Sequence, residues 1–310
     1  MRLPARRLTL AFIMATASVF VSLGAETLTM PHPDDPSRSI EYFVEKPAGA
    51  GPWPAVVFIH GHQEGSRPGG RDFVTWGVLD EYARRGYLAV AVSQPGYAGS
   101  TGPPDFCGPF TQHAVSAVIS SLRSEGYIAP HKLILEGISR GALVAALIAA
   151  RDPGIDGIVL ISGVYDLTSY GAEFKSAQAK LVAQSIVNET GGSADALRSR
   201  SVLFDAQNIR AAALILNGAK DDRTDPEQAR RLAREINGHG GQARVIIIPS
   251  TAIAFRWRRA PRQSTGLSTR SPASSAQARV HYHQQRLSCV AVSTSQYRRV
   301  VVAARQSLPT

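Results

Sequence analysis

Cysteine is almost absent. Two in 310 residues are too few for a disulfide framework, and no Cys/His spacing has the pattern of a zinc site. Cys107 and Cys289 form the one formal pair. Cys289 lies in a terminal stretch of odd composition, so Cys107, in the loop Pro104-Asp-Phe-Cys-Gly-Pro109, reads as a structural thiol. No metal and no cofactor is implied. Long apolar runs are equally scarce. The one that stands out, Leu8 to Val21, follows Arg2, Arg6 and Arg7 and precedes Ser22, Gly24 and Ala25. It is short for a bilayer span but has the basic, apolar and small-residue regions of a secretory signal, with Arg6-Arg7 a faint twin-arginine element. The expectation is a signal peptide over residues 1–25, a periplasmic or secreted protein, and no stable membrane insertion after cleavage. Repeats of fixed period and heptads are lacking too.

Acidic residues are missing from one place only. The chain carries a formal net charge of +10, yet residues 251–310 hold ten Arg with no Asp, Glu or Lys, and residues 1–250 hold 24 basic and 24 acidic side chains. The basicity therefore belongs to the tail. The body offers no basic stripe, and nucleic acid is not an expected partner. A nucleic-acid or membrane role for residues 256–305 would rest on those arginines alone and would show as a steep salt dependence.

What is present, from residue 39 to 249, is an alternation of short apolar runs with amphipathic stretches. That order predicts a mostly parallel, twisted sheet with helices on both faces, in a single domain over residues 26–250. Strands are expected at 39–45, as a half-exposed edge, and at 55–59, 87–93, 132–136, 158–162, 212–217 and 243–248. Helices are expected at 73–85, 114–124, 142–151 and 226–236, with a polar helical insertion over about 170–206. Within this frame Leu133-Ile-Leu-Glu-Gly137-Ile-Ser139-Arg-Gly141-Ala142 has the form of a nucleophile elbow: a strand, Gly-x-Ser-x-Gly, and a small-residue helix. Gly137 and Gly141 would let strand and helix close on a serine held in a sparsely populated conformation.

These residues, together with Leu214-Ile-Leu-Asn-Gly-Ala-Lys-Asp-Asp-Arg-Thr-Asp-Pro-Glu-Gln-Ala-Arg-Arg-Leu, resemble the α/β-hydrolases over nearly all of residues 39–249. The nearest likeness is to the catalytic domain of the prolyl-oligopeptidase-type serine peptidases, without their propeller. Dienelactone-hydrolase-like esterases come next. The resemblance implies an acyl-enzyme on Ser139 and a small-molecule ester or peptide as substrate. It implies an oxyanion hole from the backbone N–H of Arg140 and of His62, with Gln63 the neighbour most easily confused with the latter. The side chains of His60 and His62 are read as shaping their loop. The orienting carboxylate falls on Asp221, with Asp222 adjacent to it, while Asp225 caps the following helix.

The base is the missing element. The family places it a few residues after the last strand, where the chain reads Pro249-Ser-Thr-Ala-Ile-Ala-Phe-Arg-Trp-Arg-Arg. His239 precedes that strand at the wrong end of the sheet, and His113 belongs to the wrong loop. His281 and His283 are the remaining candidates. Over residues 251–310 helical periodicity ends along with the acids, so the last core helix is missing or replaced. A shift of reading frame near codon 250 accounts for both losses. A basic extension whose His281 or His283 reaches back to Ser139 is the alternative. Without a base, the chain is a hydrolase in fold only. Oligomeric state is not legible.

Overall fold

The structure, a computed structural model, describes residues 24–170 and 176–249. The expected signal, the tail with Cys289, His281 and His283, and the expected substitution of the last helix lie outside the described residues.

Eight strands form one sheet: β1 (Glu26–Pro31), β2 (Ser39–Glu45), β3 (Trp53–Ile59), β4 (Leu88–Val92), β5 (Ile128–Ile138), β6 (Gly157–Ile161), β7 (Ala212–Gly218) and β8 (Ala243–Ile248). Their order is β1-β2-β4-β3-β5-β6-β7-β8. β1 and β2 are antiparallel to their neighbours, and every pairing from β4 to β8 is parallel. The central strands are continuous apolar runs, Leu-Ala-Val-Ala-Val in β4 and Gly-Ile-Val-Leu-Ile in β6, as a sheet covered on both sides requires.

Two expectations are corrected. Residues 39–45 are not an edge strand: β1 pairs with Ser39 to Val44, and six of the seven residues are buried. The true edge, Glu-Thr-Leu-Thr-Met-Pro, is short and mostly exposed and ends in proline, so it carries little apolar signal. The single helix expected at 73–85 is two, α1 (Arg71–Thr75) and α2 (Val78–Ala83), broken where Gly77 takes φ 73°.

One face of the sheet is covered by α3 (Pro109–Ser124), α4 (Arg140–Ala149) and α7 (Pro226–Gly238). All ten residues of α4 are buried, and its alanines let it lie close behind β5. On the other face α1 and α2 pack Phe73, Leu79 and Tyr82 against Phe43, Phe58 and Ala91. Farther along that same face lies a separate cluster of Ile161, Leu214 and Leu216, flanked by Val159, Ile246 and Ile248. It is built from strand residues alone among the described residues. The insertion forms α5 (Ala177–Thr190), α6 (Ala194–Arg198) and a 3₁₀ segment, Val202–Asn208.

Candidate active site

Ser139 sits between β5 and α4 with φ 53° and ψ −117°, outside the regions open to L-residues at low cost. Its backbone N–H donates to Ile161 O at 2.7 Å, which ties the turn to β6. The two glycines are sterically required. A Cβ on Gly137 would stand 2.2 Å from Gly141 O, and one on Gly141 would stand 2.1 Å from Ile59 O. Strand β3, strand β5 and helix α4 thus meet backbone to backbone at the elbow. Gly61 crosses over it: a Cβ there would lie 3.3 Å from Ser139 Cβ.

A cavity of about 300 Å³ opens on this turn, lined by Ser139, Gly61, His62, Phe73, Trp76 and Phe106 among others. Leu143, Val164 and Val182 extend its apolar wall, and Glu64, Asp72 and Arg223 bring charge to it. The insertion contributes Tyr170, Gln178 and Val182, so it shapes the pocket.

His60 is buried and neutral. Its Nδ1–H donates to Gly61 O at 2.8 Å, and its Nε2 accepts the Gln94 N–H at 3.0 Å. Burial is the main cause that pushes its pKa down to about 3. His62 is also held down, first by burial and then by the Arg140 charge. Its Nδ1 lies 3.3 Å from the Tyr97 hydroxyl. Both side chains therefore hold their loop against the segment after β4. His113 pairs with Asp34 at 2.8 Å, and His239 bonds Glu235 O at the end of α7. Among the described residues no histidine hydrogen-bonds Ser139.

Asp221 lies in the turn after β7, 8 % exposed. Its Oδ1 accepts the N–H of Arg223 and of Thr224, both at 3.0 Å, and its Oδ2 accepts the Thr224 hydroxyl at 2.6 Å. Burial raises its pKa against the lowering effect of those bonds. Arg223 and Thr224 line the cavity beside Ser139, so the turn that carries this carboxylate borders the same space. Asp222 is exposed. Asp225 caps α7, accepting the Glu227 N–H at 2.8 Å.

Sequence reasoning missed the surroundings of Arg140. Its side chain is 1 % exposed and pairs with Glu189 of α5 at 2.7 Å. The guanidinium also donates to Gln94 and lies over the rings of Tyr97 and Phe106. Cys107 is free and buried, donating to Arg140 O at 3.4 Å, with its thiol pushed up to about 12 by burial. That fits the structural reading of this thiol.

The sequence profile of the prolyl oligopeptidase family matches residues 111–252, and that of the X-Pro dipeptidyl-peptidase family matches residues 39–175. Among solved structures the chain is similar to an acylaminoacyl peptidase from Pyrococcus horikoshii, with 19% identity and a TM-score of 0.58 over 73% of this chain and 36% of that one. It is similar to a puromycin-hydrolyzing peptidase from Mycobacterium tuberculosis, with 20% identity and a TM-score of 0.60 over 72% and 35%. It is similar as well to a protein assigned as a dienelactone hydrolase from Klebsiella pneumoniae, with 18% identity and a TM-score of 0.53 over 75% and 88%. The chain therefore spans about a third of the length of these peptidases and most of the hydrolase. Sheet order, elbow and structural likeness agree: the chain has an α/β-hydrolase fold, and its sequence is similar in part to the prolyl oligopeptidase and X-Pro dipeptidyl-peptidase families.

Proposed function

We propose that the chain is an exported serine hydrolase that cleaves an ester or peptide bond through an acyl-enzyme on Ser139. The observation that carries this reading is the strained Ser139, set between β5 and α4 in the wall of a mostly apolar cavity. A hydroxyl so placed attacks a carbonyl once a base removes its proton, and the developing oxyanion is met by backbone N–H donors. We assign those donors to Arg140, at the start of α4, and to His62, in the loop that crosses the elbow. Asp221 is assigned to orient the base and to stabilise its imidazolium without taking the proton. Phe73, Trp76, Phe106 and Leu143 favour a substrate with an apolar group beside the scissile carbonyl. Peptidase and esterase share this machinery; that both matching profiles are peptidase families supports putting the peptidase first.

The test is labelling of the purified chain with a fluorophosphonate, read by peptide mass spectrometry, with circular dichroism to establish folding. An adduct on Ser139 is expected if a base such as His281 or His283 serves it.

A second reading is favoured by one observation: each of the described histidines near the site is engaged elsewhere. In it the frame shift near codon 250 removed the base, and the chain is an inactive hydrolase fold. A folded protein that refuses the label, together with a histidine codon in a shifted frame of the gene, is the outcome that selects it.

A further inference from the structure

We propose that the Arg140 side chain is a positioning residue that holds both oxyanion-hole segments and the cavity-wall helix α5 in one register. This rests on the serine-hydrolase reading and adds to it a residue with no part in the triad.

Three arms leave the guanidinium. Nη1 donates to Glu189 Oε2 at 2.7 Å, and Glu189 lies in the last turns of α5, the helix whose Gln178 and Val182 wall the cavity. Nε donates to Gln94 Oε1 at 2.9 Å, and the Gln94 amide donates in turn to His60 O at 2.6 Å. Gln94 N–H also donates to His60 Nε2, so the loop entering Gly61 and His62 is gripped at backbone and ring together. The third arm is longer: Nη1 reaches the Tyr97 hydroxyl at 3.4 Å. Arginine can only donate, so that hydroxyl accepts and directs its own proton to His62 Nδ1 at 3.3 Å.

The chain Glu189–Arg140–Gln94–His60 thus links four separate segments of sequence through one buried cation. Residue 140 is itself the first residue of α4, one bond from the nucleophile. Its backbone N–H and that of His62 are the two assigned oxyanion donors, and the same side chain fixes their separation. Glu189 also accepts the Phe106 N–H at 2.8 Å, which places another wall of the cavity on the same carboxylate. Such a site is sensitive to small errors: misplacing a reacting group by about 1 Å costs on the order of a hundredfold in rate.

Removing either partner of this buried ion pair strands the other charge, so Arg140→Met and Glu189→Gln test folding as much as positioning. Gln94→Met leaves the ion pair intact and cuts only the arm to His60. The experiment compares the full chain with Gln94→Met, Glu189→Gln and Arg140→Lys. It measures hydrogen exchange of the amides of residues 60–63, together with p-nitrophenyl ester hydrolysis and fluorophosphonate labelling of the folded fraction. The expected result is at least tenfold faster exchange over residues 60–63 in Gln94→Met, with kcat down about tenfold to a hundredfold and KM changed by less than about twofold. Arg140→Lys, which lacks the fork, does not rescue. Unchanged exchange at 60–63 in both Gln94→Met and Glu189→Gln overturns the proposal. If the parent chain neither labels nor turns over while exchange still responds, the network stands and the catalytic reading beneath it falls.

Discussion

A non-glycine residue at φ 53° and ψ −117° stores about 1–3 kcal/mol of backbone strain. Ser139→Gly is therefore expected to abolish labelling while raising the urea unfolding free energy by about 1 kcal/mol. Ser139→Ala abolishes labelling with no such gain. His60 gives a second prediction at this scale. Its folded pKa of about 3 lies below the ordinary 6.5, so between those values the unfolded chain binds the extra proton. Its contribution to stability is complete above about pH 6.5 and is lost progressively as pH falls toward 3. Urea midpoints measured from pH 7 to pH 4 should fall more steeply in the parent than in His60→Asn. Ser139 was legible in the sequence because its spacing to two glycines is local. Glu189, Gln94 and Tyr97 were not, because they reach Arg140 only through tertiary structure, from segments 43 to 49 residues away along the chain.

Each element was recognisable where its chemistry repeats and misread where it does not. The buried strands β3 to β8 announced themselves as apolar runs, and α7 by its cap, Asp225 before Pro226. β1 was invisible because an exposed edge needs no apolar face, and the α1–α2 break was hidden because one glycine at positive φ outweighs a helical pattern on either side. Two tests belong here. Asp225→Ala removes an acceptor of the first-turn N–H groups and should cost about 1 kcal/mol in chemical denaturation. Gly141→Ala places a Cβ 2.1 Å from a backbone carbonyl. No rotamer relieves that contact, so the strand or the helix must move. The expected loss is at least about 3 kcal/mol, seen as low soluble yield or a sharply lowered melting temperature.

At the scale of the whole molecule the two halves of one sheet face differ among the described residues. α1 and α2 pack on one half, while on the other Ile161, Leu214 and Leu216 are buried in a cluster of strand residues flanked by Val159, Ile246 and Ile248. A tail with ten arginines and no acid or lysine is poor material for a core helix. The chain cut after residue 250 is accordingly expected to melt within about 3 °C of the full chain, a change under about 1 kcal/mol for a body of this size. Calorimetry of the two forms checks this, and a large fall would mean that the tail packs on the face. The strand directions carry a further consequence. β1 runs the same way as the parallel strands, so Glu26 stands at the end of the sheet opposite Ser139, four strand spacings from β5 and about 20 Å across. If residues 1–25 stayed attached and lay in a bilayer, the cavity would face away from the lipid. A tethered and a released form would then meet the same solutes through the same open mouth. They would differ in where they act and not in what they act on.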